Sequence, residues 1–533
     1  MLRINQIKLP LTADENDLRL AASKALKISE NRIKSLRVSK KAVDSRKKDN
    51  IFFVYNVDVD VDGDENAVLK KCAKGVDAIK PFEFKMPQVK RTSTLRPVII
   101  GFGPAGMFAG LVLARAGLKP LILERGSQIE KRQKDVQDFW TNRRLNPRSN
   151  VQYGEGGAGT FSDGKLNTGI KNPLCKFVID EFANHGAPEE IRWSSKPHIG
   201  TDKLAQVVRE IRQEIISLGG EVRFDCQMTD IIVANGYIHG IKLKQDGHEE
   251  DFETDTVLLC TGHSARDTVK TLYARGVHMM QKPFSVGARI EHPREFIDKA
   301  QYGSFAGHPA LGAADYKLAC HPAHGRGAYT FCMCPGGTVV NASSEEGGIV
   351  VNGMSEYGRD GRNSNSALLV GIDPENFGSD HPLAGFDLQR QIEVKAFEMG
   401  GGDYTAPAQL VGDFLNDRPS TKLGAVKPTC PTGVTMGDIR KILPKKVTDT
   451  YMEALYKMDK MLIGFAMPEA VFTAAETRSS SPVRILRDEI MQSNIRGLYP
   501  CGEGAGYAGG IVSAAVDAIK GAFAVLEDEN DEW

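Results

Sequence analysis

Residues 97–126, PVIIGFGPAGMFAGLVLARAGLKPLILERG, place a glycine-rich turn and a helical apolar face between two short apolar runs. Gly101, Gly103 and Gly106 fill the spacing G-x-G-x-x-G, which permits a tight turn, close approach of a pyrophosphate and close packing of helix on strand. Phosphate oxygens would then lie on free N–H groups at the start of the helix. Glu124 follows the second apolar run, where a carboxylate can accept hydrogen bonds from a ribose. The segment predicts a strand–turn–helix–strand unit that binds a dinucleotide.

Length and composition exclude several classes of protein. The 533 residues are enough for about two or three domains. Lys and Arg number 68, as do Asp and Glu, so the neutral chain is not expected to bind DNA. No run of 18 apolar residues is present, and no membrane span is expected. The first residues lack the order of a signal peptide, and the nine scattered cysteines favour reduced thiols, so a cytoplasmic protein is expected.

Residues 1–90 have the pattern of a separate domain. Apolar runs and amphipathic stretches follow the order strand, helix, strand, strand, helix, strand, and the last strand is expected in AIKPFEFKM at 78–86. This order predicts a ferredoxin-like α+β domain. The polar segment KMPQVKRTSTLRP follows and is typical of a linker.

The rest of the chain divides into a discontinuous domain and an insertion. Residues 201–218 have helical spacing, and 221–262 predict a strand and a meander of three short strands. Alternating strand patterns then continue to about Arg478, and GLYPCGEGAG leads into a final helix. We therefore predict an α/β chain with a ferredoxin-like domain at 1–90, a Rossmann-like dinucleotide-binding domain at 91–282 and 479–533, and an inserted α+β substrate domain at 283–478.

Three separated motifs carry a family resemblance: GFGPAG with Glu124, the strand VLLCTGHS, and GLYPCGEGAG. With them the chain resembles the FAD-binding oxidoreductases of the glutathione-reductase-like superfamily. YGEGGAGTFSDGKLNTG, YTFCMCPGG, NGMS and ETRSSSPVRI are closer marks, which make it similar to a bacterial family of uncharacterised FAD-dependent dehydrogenases. The resemblance implies FAD as the cofactor, and an inserted domain that covers the flavin.

The resemblance also implies which residues hold the FAD. The glycine-rich stretch 153–166 would run along the FAD and under its isoalloxazine, and Met228 would touch the adenine, with core packing as the alternative role. Glu503 would contact the ribityl or pyrophosphate region, where the superfamily usually has Asp. The last helix would direct N–H groups at the flavin N1–O2 edge, where reduction adds negative charge. The implied set is Gly101, Gly103, Pro104, Ala105, Gly106, Glu124, Arg125, Arg132, Gly157, Ala158, Thr160, Ser162, Asp163, Met228, Thr261, Gly262, Gly502, Glu503, Gly509, Gly510 and Ile511.

The catalytic candidates are Glu476, Arg478, Arg484 and Lys165. Two arginines so close in sequence can clamp a carboxylate or phosphate of the substrate. A solvated charged loop is the alternative explanation for them. Further candidates for the cavity wall are Asn352, Ser355, Arg359 and Asn363.

Two other clusters have structural explanations. Cys320, His321, His324, Cys332 and Cys334 are residue types that bind zinc. We expect Cys332 and Cys334 on one face of a strand, however, and we expect no metal. The segment 32–48 contains eight Lys or Arg residues, which could bind RNA, although a solvated strand edge explains them better.

The sequence as a whole predicts an FAD-dependent oxidoreductase that transfers a hydride between flavin N5 and an unidentified organic substrate. One dinucleotide fingerprint is present, so a separate NAD(P)H domain is not expected, and NADH or NADPH would reach the flavin only transiently. A flavin-dependent enzyme that modifies RNA and a non-enzymatic flavin redox sensor are the alternatives.

Overall fold

The computed structural model describes residues 1–72, 74–323 and 326–528. Its N-terminal part is a four-stranded antiparallel sheet in the order β2-β3-β1-β4 with two helices. Helix α1 begins after Asp14, whose side chain accepts a hydrogen bond from the N–H of Asp17. The elements are β1 (Leu2–Pro10), α1 (Glu15–Leu26), β2 (Ile33–Asp44), β3 (Phe52–Val61), α2 (Glu65–Lys71) and β4 (Val76–Ala78).

The last strand of this part ends earlier than the sequence predicted. β4 stops at Ala78, and residues 79–97 contain no helix or strand. The predicted strand is wrong because this segment docks on its neighbour: the ring of Phe84 stacks on Phe177 at 3.8 Å, and the N–H of Lys90 donates to the carbonyl of Leu526. The linker therefore packs along the surface of the domain that follows it.

The dinucleotide fingerprint lies where the sequence predicts it, between β5 and β6. The helix predicted at 201–218 is confirmed as α6, and the three-stranded meander is β8 to β10. The elements of this segment are β5 (Val98–Ile100), α3 (Pro104–Arg115), β6 (Leu121–Leu123), α4 (Ile129–Asn142), α5 (Leu174–Asn184), α6 (Thr201–Ser217), β7 (Glu221–Arg223), β8 (Cys226–Ala234), β9 (Tyr237–Gln245), β10 (His248–Glu253), β11 (Val257–Leu259), α7 (Arg266–Ala274) and β12 (Met279–Gln281).

Residues 284–476, called the cap segment below, build a seven-stranded sheet in the order β14-β15-β18-β13-β21-β19-β20. β13 and β18 are buried along nearly their whole length. The elements are β13 (Phe284–Pro293), α8 (Arg294–Tyr302), β14 (Ala319–Cys320), β15 (Ala328–Cys334), β16 (Thr338–Asn341), β17 (Val351–Met354), β18 (Asn363–Ile372), α9 (Ala384–Gly400), β19 (Ala406–Leu410), α10 (Val411–Leu415), β20 (Val434–Met436), α11 (Lys445–Met461) and β21 (Val471–Glu476).

The chain then returns to the segment that contains β5 and β6 through β22 (Val483–Ile485), β23 (Leu498–Pro500) and α12 (Ile511–Glu527). β23 completes a five-stranded parallel sheet in the order β23-β11-β5-β6-β7. Helices α3, α5, α6 and α12 share a core on one face of it, and the meander and α7 belong to the core on the other. Burial on both faces explains why β5, β6, β11 and β23 are almost purely apolar, whereas β7 at the edge is Glu-Val-Arg and only partly buried. No helix in the described ranges is long and apolar enough to cross a membrane.

Candidate functional site

The glycine turn at the end of β5 has the geometry that the fingerprint requires. Gly101 has φ +99°, and a Cβ there would lie 2.8 Å from the carbonyl oxygen of Cys260. A Cβ on Gly106 would lie 1.9 Å from the carbonyl oxygen of Gly101. Gly103 is the N-cap of α3 and provides no side chain to bind the first N–H groups. These N–H groups are therefore available to an anion.

Glu124, at the end of β6, organises the loops around this turn. Its oxygens accept hydrogen bonds of 2.9 Å each from the N–H groups of Phe102, Gly126 and Gly154. The carboxylate thereby joins the glycine turn, the end of β6 and the glycine-rich stretch 153–166. Glu124 also lines the cavity described next. Its contact with a ribose stays a prediction.

A cavity of about 1660 Å³, including the solvent at its mouth, runs from this turn to the cap segment. The same cavity borders the glycine turn at one end and the cap segment at the other, so a ligand at the turn and a ligand at the cap segment would share it. On the nucleotide side the predicted residues that line it are Gly101, Gly103, Pro104, Ala105, Glu124, Arg125, Gly157, Ala158, Ser162, Asp163, Met228, Thr261, Gly262, Glu503, Gly509, Gly510 and Ile511. On the cap side it is lined by Phe331, Cys332, Cys334, Val350, Val351, Asn352, Gly353, Glu476, Arg478 and Ser479, with Lys165.

Four residues of the implied FAD set do not line the cavity, and each has a structural role instead. Gly106 packs against the turn as described. Arg132 is fully buried and donates to the backbone carbonyls of residues 150, 151 and 155. The hydroxyl of Thr160 donates to the last of these carbonyls. Gly502 donates its N–H to Asp517, and a Cβ there would lie 3.0 Å from that of Ala105.

The cavity contains open space and unpaired polar atoms where a flavin nucleotide would need them. A Cβ on Gly262, Gly509 or Gly510 would meet no protein atom within 4 Å. Thr261 Oγ1 and His263 Nε2 are buried and have no hydrogen-bond partner among the described residues. Because buried polar atoms are nearly always paired in native proteins, these two fit a site completed by a polar ligand. The residues present therefore fit FAD.

His263 is a site residue that the sequence analysis missed. Its Nδ1 lies 2.7 Å from Oε1 of Glu503, the residue expected to contact the ribityl or pyrophosphate region. The Glu503 carboxylate thus orients the imidazole of a residue that lines the cavity and whose other nitrogen is buried and unpaired among the described residues. The signal was present in VLLCTGHS, where His263 follows Thr261 and Gly262.

Glu476 lies at the cap end of the cavity and is paired with a second residue that the sequence analysis missed. Its carboxylate accepts hydrogen bonds of 2.6 and 3.2 Å from Arg289, which is fully buried. Burial raises the pKa of Glu476, and the charge of Arg289 opposes only part of this effect. Arg289 also donates to the Cys332 carbonyl and to Oδ1 of Asn352 and Asn365. A buried acid that is held by one cation, on a cavity wall, can exchange a proton with a ligand.

Lys165 and Asp163 form a second charged group at the same end. The Lys165 ammonium lies 2.6 Å from Asp163 and also contacts the carbonyl of Met333 in β15. Asp163 accepts two further hydrogen bonds, of 3.0 and 2.6 Å, from Arg359 of the cap segment. Burial alone would raise the pKa of Asp163, but the charges of Lys165 and Arg359 outweigh it and lower that pKa.

The structure favours neither explanation left open for Arg478 and Arg484, a clamp for a substrate anion or a solvated charged loop, because Arg478 is buried and Arg484 lies outside the cavity lining. Arg478 lines the cavity, but it pairs with Glu393 at 3.0 Å and with Glu345 at 3.1 Å. Arg266 binds the same two carboxylates, at 2.7 and 2.5 Å, and this quartet is neutral. Arg484 does not line the cavity; it donates to the carbonyl of residue 506 and lies over the ring of residue 507. Of the other wall candidates, Ser355 and Asn363 are buried away from the cavity.

Cys332 and Cys334, which were expected on one face of a strand, both line the cavity. Cys332 has φ +40°, and the register of β15 shifts between Phe331 and Cys334. Cys332 is an exposed residue, while Cys334 is almost fully buried. All nine cysteines are free thiols, and His324 of the proposed zinc set lies outside the described residues.

One cluster among the described residues brings three side chains of metal-ligating types together: Glu181, His185 and Glu214. Arg115 donates to both carboxylates at 2.7 Å, and His185 lies 2.7 Å from Glu214. These contacts explain the cluster as an ion-pair network.

The basic run of the N-terminal domain is partly neutralised by neighbouring residues. Lys34 pairs with Asp62 at 3.0 Å, and Arg46 pairs with Asp44. Lys41 lies over the ring of Phe53 at 4.0 Å, and its backbone is bonded to residues 193 and 195 of the next layer. Much of this run therefore serves the sheet edge and the contact between layers.

Comparison with known proteins places the chain in a family. An uncharacterized protein of Clostridium beijerinckii is 45% identical over 537 residues, which cover 99% of this chain and 98% of that protein. The chain belongs to the family of this clostridial protein. Residues 283–479 match the family described as "FAD-dependent protein, C-terminal domain-like", and residues 1–60 match a domain of unknown function. This match and the fit of the cavity identify FAD as the cofactor.

Two solved structures are distantly similar to this family member. A 3-ketosteroid-Δ4-(5α)-dehydrogenase from Rhodococcus jostii RHA1 is 12% identical, with a TM-score of 0.37 over 81% of this chain and 96% of that one. A flavin-dependent brominase is 11% identical, with a TM-score of 0.37 over 80% and 77%. These TM-scores are too low to establish a shared fold.

Glu155, in the glycine-rich stretch, makes the stability of this region depend on pH. It is fully buried, and burial raises its pKa to about 7. The hydrogen bond from the N–H of Ile129 and the charge of Arg212 lower the pKa and offset part of this effect. The folded state therefore holds a proton that the unfolded state loses near pH 4.5, so wild-type stability falls as pH rises from about 4.5 to 7. We expect Glu155→Gln to lack this loss, so that the variant gains about 2–3 kcal/mol relative to wild type between pH 5 and pH 8.

Thermal denaturation of both proteins at pH 5 and pH 8 measures this gain. Glu130→Gln is the matched control, because Glu130 is exposed and lies 3.6 Å from the same Arg212. A difference between Glu155→Gln and wild type that is the same at both pH values would contradict the expectation.

Proposed function

We propose that the protein is an FAD-dependent oxidoreductase whose organic substrate binds between the flavin and the cap segment. One observation carries this proposal: a single cavity is lined on one side by the dinucleotide fingerprint and on the other by cap residues that include the buried Glu476. The residues on the nucleotide side explain only the binding of the cofactor. The acid at the cap end of the same cavity favours a second ligand that reacts.

The residues of the chain have distinct parts in this proposal. The glycine turn and the start of α3 bind the pyrophosphate, and the start of α12 orients the ring system. FAD supplies the capacity to accept or give a hydride. The cap segment excludes water from the reacting atoms, and Glu476 takes or gives the proton that accompanies the hydride. Arg289 positions the Glu476 carboxylate through two hydrogen bonds.

Anaerobic reduction of the FAD-loaded protein tests the proposal. Two electron equivalents from dithionite should bleach the flavin absorption, and an added quinone or dye acceptor should restore it through repeated cycles. NADH and NADPH, added separately, show whether a nicotinamide feeds electrons; bands that stay oxidised would direct the search to another organic donor. A bound flavin that does not cycle with dithionite and any acceptor would overturn the proposal.

A further inference from the structure

The charges at the cap end of the cavity do not cancel. The quartet of Arg266, Arg478, Glu345 and Glu393 is neutral, and Arg289 is neutralised by Glu476. Lys165 and Arg359, however, share the single carboxylate of Asp163. This end of the cavity therefore carries one excess positive charge among the described residues.

Lys165 is the cation of this group that faces the cavity. Its ammonium has three N–H donors, of which Asp163 and the Met333 carbonyl accept two. The side chain is 29% exposed and lines the cavity, whereas that of Arg359 is 13% exposed and does not line it. One N–H of Lys165 is therefore available to a ligand.

Asn352 offers a second donor on the same wall. Its Oδ1 accepts a hydrogen bond of 2.9 Å from Arg289, which leaves the amide NH₂ group as the free end of the side chain. The carbonyls of Cys332 and Met333, which follow one another in β15, bind Arg289 and Lys165 respectively. β15 thus contacts Lys165 directly and Asn352 through Arg289, and both Lys165 and Asn352 line the cavity.

We propose that the substrate is an organic anion whose carboxylate is bound by Lys165 and Asn352 at the cap end of the cavity. Filling the cavity removes water from the excess positive charge, which is costly unless the ligand brings a counter-charge. A carboxylate supplies that charge and accepts both hydrogen bonds. This inference rests on the proposed function and names the substrate class for the same site.

The phosphates of FAD do not account for the excess charge. The pyrophosphate belongs at the glycine turn, where Gly103 packs against Gly157 and α3 begins. Lys165 instead contacts Met333 and, through Asp163, Arg359, both residues of the cap segment. Removing the lysine charge is therefore expected to spare the affinity for FAD.

The test is a titration of the FAD-loaded protein with acetate, propanoate and benzoate, each matched by its neutral amide, followed by the change in the flavin absorption spectrum. We expect at least one carboxylate to bind and its amide to bind about 10-fold more weakly or not at all. Lys165→Met should weaken carboxylate binding about 10-fold to 100-fold, and Lys165→Arg should retain it within about threefold. Lys165→Met leaves Asp163 paired with Arg359, so the variant keeps a balanced pair and should fold.

Lys171→Met is the matched control, since it removes the same charge from an exposed position in the same loop. Equal binding of amides and carboxylates, no binding of any carboxylate by wild type, or unchanged carboxylate binding by Lys165→Met would overturn the inference. So would a large loss of FAD affinity in Lys165→Met, which would assign the charge to the cofactor. In each case the reduction of wild type by dithionite reports on the proposed function separately.

Discussion

Replacement of Glu393 by glutamine is expected to destabilise the protein by about 3–5 kcal/mol. Glu393 is fully buried and accepts paired hydrogen bonds from Arg266 of α7 and from Arg478, which follows β21. Burial alone would raise the pKa of Glu393, but the charges of Arg478 and Arg266 outweigh it and lower that pKa. Without this carboxylate the two arginines share Glu345 alone, and one positive charge is left buried and unpaired.

Thermal and urea denaturation of the FAD-loaded protein measure this loss. Glu398→Gln removes the same charge from an exposed position on the same helix, α9, and should change stability by less than about 0.5 kcal/mol. Because the folded pKa of Glu393 is below its ordinary value of 4.5, the stabilisation is complete above pH 4.5 and is lost as pH falls further. Equal midpoints for the two variants near pH 7 would contradict the assigned role.

Replacement of Gly510 by leucine is expected to abolish FAD binding while the protein stays folded. Gly510 has φ 163°, an extended conformation open to any residue, and lies at the start of α12 on the cavity wall. A Cβ there would meet no protein atom within 4 Å, so the leucine side chain enters space that the flavin needs. We expect the dissociation constant for FAD to rise by at least about 100-fold through this clash.

The control for Gly510→Leu is Gly169→Leu, which adds the same side chain at an exposed position that also has open space. The FAD-free forms of wild type and Gly510→Leu should unfold within about 1 kcal/mol of each other, since a glycine N-cap is replaced without a clash. Wild-type affinity for FAD in Gly510→Leu would place the flavin elsewhere.

The nucleotide half of the site could be predicted because local geometry dictates its residues. Gly101 needs a positive φ, Gly106 leaves no room for a side chain, and Glu124 ends a strand beside the turn. Each requirement is met within a few residues of sequence, so the motif can be recognised from the sequence alone. The β4 boundary was missed for the opposite reason, because the docking of Phe84 on Phe177 decides the path of that segment.

The cap half of the site depends on partners that are far apart in sequence. Arg289 lies inside the apolar run of β13, where a charge without a partner would be unfavourable. Its partner, Glu476 in β21, is 187 residues further along the chain. Arg478 looked like a substrate clamp because Glu393, which neutralises it, lies 85 residues away on α9. Only the pairing of the elements shows which charges are compensated and which, as at Lys165, are not.

The most direct test of the account is the stoichiometry of FAD in the purified protein after loading with FAD and removal of the excess, read from the flavin absorption bands. We expect about one FAD per chain, and no FAD in Gly510→Leu prepared in the same way. A wild-type protein that retains no flavin after loading would contradict the assignment of the cavity, and with it the proposed function.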